Sequence, residues 1–354
     1  MRILISGGAG FVGSSMALRW KRDIPGCEVV VFDNLKRRGS EINLTLFRER
    51  GIKFCHGDIR QRSDLFELEG NFDLFIEASA EPSVLAGLSG SPDYLLQTNL
   101  CGTLEALEFA RRRVGTTIFL STSRVYSIAP LRALDLEEGG SRFSLRPGNY
   151  PEGVTSRGIT ESFPVNLPRS LYGGSKLASE IMIQEYVATY GLKAIINRCG
   201  VIAGPGQFGK TDQGVFTLWV ARHFYKKPLT YIGFGGSGKQ VRDLLHPEDL
   251  FSLIKKQIEK PEAHSGESFN VGGGMKGSTS LLELTEECQR VTSNQVEMNR
   301  NPETSPVDIP FYVSDFSKAE RVYDWQPRYG VSEIIVDIYR WLVENGALLK
   351  QIFC

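Results

Sequence analysis

Charge of one sign is what this 354-residue sequence conspicuously lacks: 41 lysines and arginines stand against 41 aspartates and glutamates. Without a surplus of either sign there is no long-range field to gather nucleic acid or an anionic membrane surface, and neither is an expected partner. Cysteine is sparse, and its six copies (Cys27, Cys55, Cys101, Cys199, Cys288, Cys354) include no Cys-x-x-Cys pair. With four histidines, they make neither a zinc-like cluster nor a disulfide framework, so no metal site is expected. No apolar run approaches the length that spans a bilayer. Met1–Ser6 already reads as a strand and leaves no room for a secretion signal, so a cytoplasmic protein with reduced thiols is expected. Internal repeats and low-complexity segments are also absent.

What is present is ordinary globular material, 41% hydrophobic and 23% charged, in a chain long enough for one large domain or two of usual size. Short apolar runs at Arg2–Ser6, Val29–Asp33, Lys53–His56, Leu74–Ala78, Thr117–Ser121 and Ala194–Arg198 read as buried strands. Amphipathic stretches at Val12–Lys21, Ser63–Glu69, Tyr94–Arg113 and Leu171–Tyr190 read as helices between them. Apolar strands alternating with helices imply an α/β fold, a doubly wound parallel sheet of Rossmann type covered on both faces. Beyond about Gly200, glycine-rich turns separate shorter elements, which predicts a smaller C-terminal α/β lobe for substrate. The expected division is therefore 1–199 and 200–354, with some later segments returning to the first domain. Ser280–Glu283 reads as a capping box opening a helix over Leu281–Thr292. The Arg-, Pro-, Gly- and Ser-rich stretch 127–170 is expected to form pocket-lining loops.

Directly after the first strand comes Ser6-Gly-Gly-Ala-Gly-Phe-Val-Gly13. Gly7, Gly10 and Gly13 permit a sharp turn whose backbone amides approach a pyrophosphate, and the following helix adds its positive dipole end. An ordinary glycine-rich strand–helix turn would read the same way. Asp33 strengthens the dinucleotide reading, because it closes the second strand 20 residues after Gly13, where a carboxylate can accept from a ribose diol. It also repels a 2′-phosphate and so favours NAD, while Lys36, Arg37 and Arg38 pull toward NADP. Asp58, after His56-Gly57, suits either the adenine amino group or a turn.

Tyr172 and Lys176 stand four apart and share one side of a helix. A lysine so placed can bind a nicotinamide ribose and lower the pKa of the tyrosine, which can then take a hydroxyl proton as hydride leaves carbon. Of the 12 tyrosines only Tyr172 has a lysine at this spacing. The fifth strand ends in Ser121-Thr122-Ser123-Arg124, at the carboxyl edge where ligands bind in this architecture. Thr122, with Ser123 second, is the candidate for orienting the reacting hydroxyl, against the alternative that these hydroxyls serve only the backbone.

These residues resemble the extended short-chain dehydrogenase/reductases that modify nucleotide sugars, over nearly the whole chain. Carrying the likeness are Gly7-x-x-Gly10-x-x-Gly13, Asp33-Asn34-Leu35, His56-Gly57-Asp58, Asn99-Leu-Cys-Gly-Thr103, Tyr172-x-x-x-Lys176, Arg242-Asp243-Leu244-Leu245-His246 and Phe269-Asn270-Val271-Gly272. Within that group the chain is most similar to the CDP-paratose 2-epimerases, through Phe32–Gly39, Asp212–Phe216, Gly238–Asp243 and Asp308–Tyr312 with Asp315. The resemblance implies NAD as cofactor and a catalytic set of Thr122, Tyr172 and Lys176. It places at the cofactor Gly7, Gly10, Phe11 and Val12 of the turn, then Asp33, Asn34, Lys36 and Arg38, then Asp58 and Ile59. Ala78, Ser79 and Ala80 after the fourth strand, Asn99 and Cys199 complete that set with Tyr172 and Lys176. For the substrate it implies Glu81, Ser123, Arg124, Gln207, Gln213, Gly214, Val215, Arg242 and Tyr312. Lys210 and Asp212 share the same candidate loop, and Arg242 has the strongest claim on a diphosphate, against a surface salt bridge.

Departures from the resembled pattern are informative. The usual His-x-Ala-Ala is Glu77-Ala-Ser-Ala here and leads to Glu81, which suits either a sugar hydroxyl or a helix cap. Cys199 reads as a packing residue rather than a catalytic thiol, and Gly200 leaves space for a sugar to turn. Ser305-Pro306 occupies the place of an arginine often found in relatives. Ser123-Arg124 follows Thr122 where a dehydratase would carry an acid pair. The resemblance thus implies epimerisation of a CDP-sugar at carbon 2 (CDP-paratose/CDP-tyvelose, or CDP-glucose/CDP-mannose), through a 2-keto sugar. The alternatives are a carbon-4 epimerase of a UDP-sugar and a catalytically silent dinucleotide sensor. A homodimer through a helix bundle is the expected assembly.

Overall fold

Seven strands form one sheet: β1 (Arg2–Ser6), β2 (Glu28–Asp33), β3 (Lys53–His56), β4 (Phe72–Glu77), β5 (Val114–Thr122), β6 (Ala194–Cys199) and β7 (Ser268–Val271). The structure is a computed structural model that describes residues 1–209 and 214–353, so Gln213, Lys210 and Asp212 lie outside the described residues. The strand order is β7-β6-β5-β4-β1-β2-β3. β1 pairs in parallel with β2 and β4, as do β2 with β3 and β4 with β5. The order reverses beside β1, which makes the carboxyl ends of β1 and β4 the switch point of a doubly wound sheet.

Six strands lie where the apolar runs place them. β2, β4 and β6 extend by a residue or two, β5 runs further, over Val114–Thr122, and Ala78 falls outside β4. The seventh, β7, and a helix over Asn43–Glu49 are additions, because neither carries enough period to stand out locally. The helix expected over Ser63–Glu69 is shorter, Arg62–Phe66. The one expected over Tyr94–Arg113 is interrupted: a turn at Asp93–Leu96 widens into π geometry at Gln97–Cys101 before α2 (Gly102–Arg113). There the Asn99 carbonyl accepts from the Thr103 and Ser179 hydroxyls, so side chains supply bonds around the wide turn.

The chain falls into two interleaved units. The first comprises Met1–Val125, Ser170–Arg198 and Leu250–Phe269, and the second Tyr126–Arg169, Cys199–Asp249 and Asn270–Cys354. Leu250–Phe269 belongs to the first unit, and Ser268–Val271 joins the large sheet.

In the first unit, β1, β2, β4 and β5 contribute Leu4, Val30, Phe32, Phe75 and Phe119 to a buried cluster closed by Phe109 and Ala110 of α2. Phe109 meets Phe66 edge-on with centroids 5.7 Å apart and lies 6.4 Å from Phe75. The second unit holds a small sheet in which Val241–Leu245 pairs with Val201–Ile202, Ser278–Ser280 and Phe311–Tyr312. Helices α4 (Val215–Phe224), α5 (Leu281–Thr292) and α6 (Val331–Phe353) pack on one another there. The capping box at α5 is formed: Ser280 Oγ accepts from Glu283 N–H, and Glu283 accepts from Ser280 N–H. The stretch 127–170 carries a short helix, Ile128–Arg132, and two small hairpins. Among the described residues no helix is long and apolar enough to cross a membrane.

Phe109→Ala empties the centre of the first unit's aromatic cluster, and truncations of this kind cost about 3–5 kcal/mol. Urea unfolding followed by circular dichroism is expected to show a loss of that order, and a loss near zero would place the core elsewhere.

Candidate active site

The glycine turn between β1 and α1 (Phe11–Asp23) is built for close approach. Gly7 has φ +61°, and a Cβ there would fall 2.6 Å from the Ala78 carbonyl oxygen. A Cβ on Gly13 would come 2.3 Å from the Gly7 oxygen, so glycine lets α1 start flush against the turn. Gly10 differs: a Cβ there would meet only the Gly7 oxygen, at 3.2 Å, which leaves this side of the turn open to a ligand. Phe11 and Val12 begin α1, whose first turn has no acidic residue and whose last carries Lys21 and Arg22. Such a helix end favours an anion, so the residues present fit a dinucleotide pyrophosphate.

Ala9, at the tip of the turn, is held on both sides. Its N–H donates to Asp33 Oδ2 at 3.0 Å, and its carbonyl accepts from Asn43 Nδ2 at 2.9 Å. Asp33 Oδ1 accepts from Leu35 N–H at 2.8 Å. Burial pushes the Asp33 carboxyl above its usual range, against the backbone N–H groups of Leu35, Ala9 and Gly10. Asp33 therefore shapes the turn, and lone pairs remain on its oxygens for a ribose diol. Asn43 was not foreseen from the sequence, since its partner is a backbone group 34 residues away.

Asp58 is tied into a turn: Arg60 donates to it from its backbone N–H at 3.0 Å and from its guanidinium at 2.9 and 2.7 Å. Asn34 Nδ2 donates to it at 2.9 Å. Chiefly through Arg60, the carboxyl is held down at about 2. Lys36 and Arg60 lie over the ring of Tyr94, at 5.2 and 4.8 Å. Arg38 is exposed, whereas Ile59 is buried against Gly102 at the start of α2.

Helix α3 (Leu171–Tyr190) starts at an N-cap, with Ser170 Oγ accepting from Gly173 N–H, and ends at Gly191 with φ +68°. It packs against β5 and the 3-10 turn Ser123–Val125. Three of its residues, Tyr172, Lys176 and Glu180, recur every four positions on one side. Glu180 anchors that side: Arg198 of β6 donates to it from Nε at 3.0 Å and Nη2 at 2.7 Å, and Ser121 of β5 donates its hydroxyl. This ion pair is buried, and Thr122 directly follows Ser121 in β5. Thr122 is 8% exposed and its Oγ1 accepts from Arg124 N–H at 3.2 Å, while Tyr172 is half-buried and Lys176 only 2% exposed. The catalytic candidates thus occupy one unit, Thr122 on β5 and the pair on the helix pinned to it. Glu180 went unremarked in the sequence, although its spacing from Lys176 repeats that of Lys176 from Tyr172.

Asn99 spends its side chain on the loop after β4. Its Oδ1 accepts from Glu81 N–H at 2.8 Å, and its Nδ2 donates to the Glu81 carbonyl at 3.1 Å and to Ser175 Oγ at 3.3 Å. That brace positions the segment of Ala78, Ser79 and Ala80 next to α3. Glu81 Oε1 accepts from Ser83 N–H at 3.2 Å, a turn contact of the kind weighed against sugar binding. At the end of β4, Glu77 lies buried, 3.8 Å from the Lys176 ammonium.

In the second unit the remaining candidates are largely engaged. Gln207 donates to the Ile202 carbonyl at 3.0 Å and accepts from Thr217 at 2.7 Å, fastening its loop to α4. Gly214 caps α4 with φ +79°, and Val215 is its first residue. Arg242 donates from Nη2 to Asp308 at 2.8 Å and to the Ile309 carbonyl at 2.7 Å, so the salt bridge weighed against a phosphate contact is formed. Tyr312 is 1% exposed and stacks on Tyr126, while Cys199 is buried.

Known proteins place this arrangement among sugar-nucleotide enzymes. The model of the NAD dependent epimerase/dehydratase family matches residues 3–272. The chain is 30% identical to the CDP-paratose 2-epimerase of Salmonella typhi over 96% of this chain and 99% of that protein. In structure it is similar to the dTDP-glucose 4,6-dehydratase of Streptomyces venezuelae with NAD bound, at TM-score 0.77 and 27% identity, over 99% of this chain and 100% of that one. It is also similar to the UDP-glucose 4-epimerase of Thermotoga maritima with UDP-glucose, at TM-score 0.78 and 24% identity, over 98% and 99% of the two chains.

Arg198→Met leaves the Glu180 carboxylate buried without its cation, and such a loss costs about 3–5 kcal/mol. Denaturant unfolding is expected to show it, with much of the loss recovered by adding Glu180→Met. For the glycine turn, Gly10→Ala is expected to fold and, stripped of nucleotide, to melt near the parent, yet to purify without dinucleotide. Gly13→Ala is expected to lose both. Retention of dinucleotide by Gly10→Ala would show that no phosphate approaches the turn on that side.

Proposed function

This chain belongs to the NAD dependent epimerase/dehydratase family, and from that premise we propose that it inverts carbon 2 of a CDP-sugar through a transient 2-keto sugar. The pair CDP-paratose/CDP-tyvelose is the first choice and CDP-glucose/CDP-mannose the second. The observation that carries this reading is the end-to-end likeness to the Salmonella typhi CDP-paratose 2-epimerase. Ser123 and Arg124 support it, because they follow Thr122 where elimination of water would need an acid and a base.

The cofactor is NAD, which when bound would supply the hydride acceptor and donor for the sugar carbon. The proteins's own groups handle the proton and the geometry. Tyr172 takes the proton of the sugar hydroxyl and gives it back. Lys176, one helical turn on, keeps a positive charge beside the developing tyrosinate. Thr122 already accepts from Arg124 N–H, which leaves its own O–H to donate to the reacting sugar oxygen. A diphosphate is assigned to the N-terminus of α4 at Gly214 and Val215, whose first turn carries no acidic residue, and to Arg242 sharing its guanidinium with Asp308. The assembly in this proposal is a cytoplasmic homodimer through α2 and α3, supported by outward Ile181 and Tyr190, both more than half exposed.

Proton NMR of the purified protein with CDP-paratose or CDP-glucose, without added NAD, is expected to show the carbon-2 epimer appearing. In deuterium oxide the product is expected to carry no solvent deuterium at carbon 2. Tyr172→Phe is expected to lower turnover by about 10²–10⁴-fold while keeping its NAD. A carbon-4 epimer from a UDP-sugar, with CDP-sugars untouched, would overturn the assignment, and turnover of no sugar nucleotide would point to a sensor.

A further inference from the structure

Strands β1, β4 and β5 bring Ser6, Glu77 and Phe119 into one register row. Helix α3 lays Lys176 across that row, with Nζ 3.8 Å from Glu77 Oε2 and 4.3 Å from the centroid of the Phe119 ring. Glu77 and Lys176 are each 2% exposed. Glu77 Oε1 accepts from Ser79 N–H at 3.1 Å, but Oε2 accepts no hydrogen bond among the described residues. A carboxylate wanted only for its volume would be an expensive choice here, because burying a charge without a partner costs far more than burying a hydrocarbon or an amide. What faces the orphaned oxygen is the ammonium of the candidate catalytic lysine.

The groups that act on Glu77 come from three elements. Burial pushes its carboxyl above the usual range, and the Lys176 charge on α3 is the strongest influence in the other direction. The Ser79 N–H after β4, the Ser6 hydroxyl on β1 and the Ser79 hydroxyl add to it. Tyr172 stands four residues before Lys176 on the same side of α3.

We propose that Glu77 is a positioning residue for the reaction, whose carboxylate seats the Lys176 ammonium and raises together the pH at which Tyr172 and Lys176 release their protons. This rests on the reading of Tyr172 as base and Lys176 as its cationic partner. The sign follows from electrostatics alone: a negative charge favours the protonated form of every neighbour. Removing it favours the tyrosinate at lower pH and also lets the buried ammonium lose its proton at lower pH. Both limbs of the activity profile therefore move in the acid direction.

The test compares the pH dependence of kcat/KM for the parent, Glu77→Gln and Glu77→Asp holoenzymes. Glu77→Gln is expected to shift both limbs to lower pH by about one unit, while Glu77→Asp, which keeps the charge, stays nearer the parent. A side chain with a structural role alone would scale activity equally at every pH, so an unmoved Glu77→Gln profile overturns the proposal. A second arm needs no substrate. Lys176→Met is expected to lower the melting temperature at pH 8 more than at pH 5, because it strands the carboxylate, and adding Glu77→Gln is expected to restore it. Equal melting of Lys176→Met and the double variant at pH 8 would overturn the proposal as well. If the parent turns over no sugar nucleotide, the substrate reading fails and the melting arm still decides for or against Glu77.

Discussion

The buried ion pair between Glu180 and Arg198, with the Ser121 hydroxyl on the same carboxylate, is the constraint on which the site depends. It joins one helix to two adjacent strands of the large sheet. A helix lying on a sheet can slide or roll at small hydrophobic cost, since apolar contacts are non-directional. A bidentate charged contact out of solvent tolerates neither, because displacing the partners strands a charge. Lys176 and Tyr172 are fixed one and two turns away on the same side, and Thr122 is adjacent to Ser121 on the strand. The arrangement proposed for proton transfer is thus held by a contact that involves none of the three candidate residues.

A second fixed point lies at the glycine turn. Ala9 is held by Asp33 through its N–H and by Asn43 through its carbonyl, so the amides around Gly10 are ordered before any ligand arrives. Preorganisation of this kind lowers the cost of binding, because the loop entropy is already lost on folding. The brace from Asn99 to Glu81 and Ser175 does the same for the segment after β4. Polar side chains in this unit repeatedly serve backbone groups of a loop, and the loops then present what faces a ligand.

Local pattern made much of this legible. The strands from Arg2–Ser6 to Ala194–Cys199 follow from continuous apolar runs, and α3 and α5 from their caps and periods. Tyr172-x-x-x-Lys176 and the glycine spacing stood out because their chemistry lies within four to seven residues. Ser268–Val271 escaped because four residues carry little period, and its place in the sheet depends on a neighbour some 70 positions earlier. The partners of Asn43, Glu77 and Glu180 escaped for the same reason. Arg242 illustrates the converse: its motif invites a phosphate, but only the fold brings Asp308 to its guanidinium.

By itself the sequence determined the class of fold and singled out the glycine turn and the Tyr172–Lys176 pair as candidates, because each is written in spacing that a helix or strand converts directly into a shared face. The tertiary structure alone decided which carboxylate meets Lys176, which cation compensates Glu180 and how the chain divides into interleaved units. Those outcomes depend on register between distant strands and on burial, and a linear sequence records neither the neighbour across the sheet nor the loss of water that makes an ion pair matter.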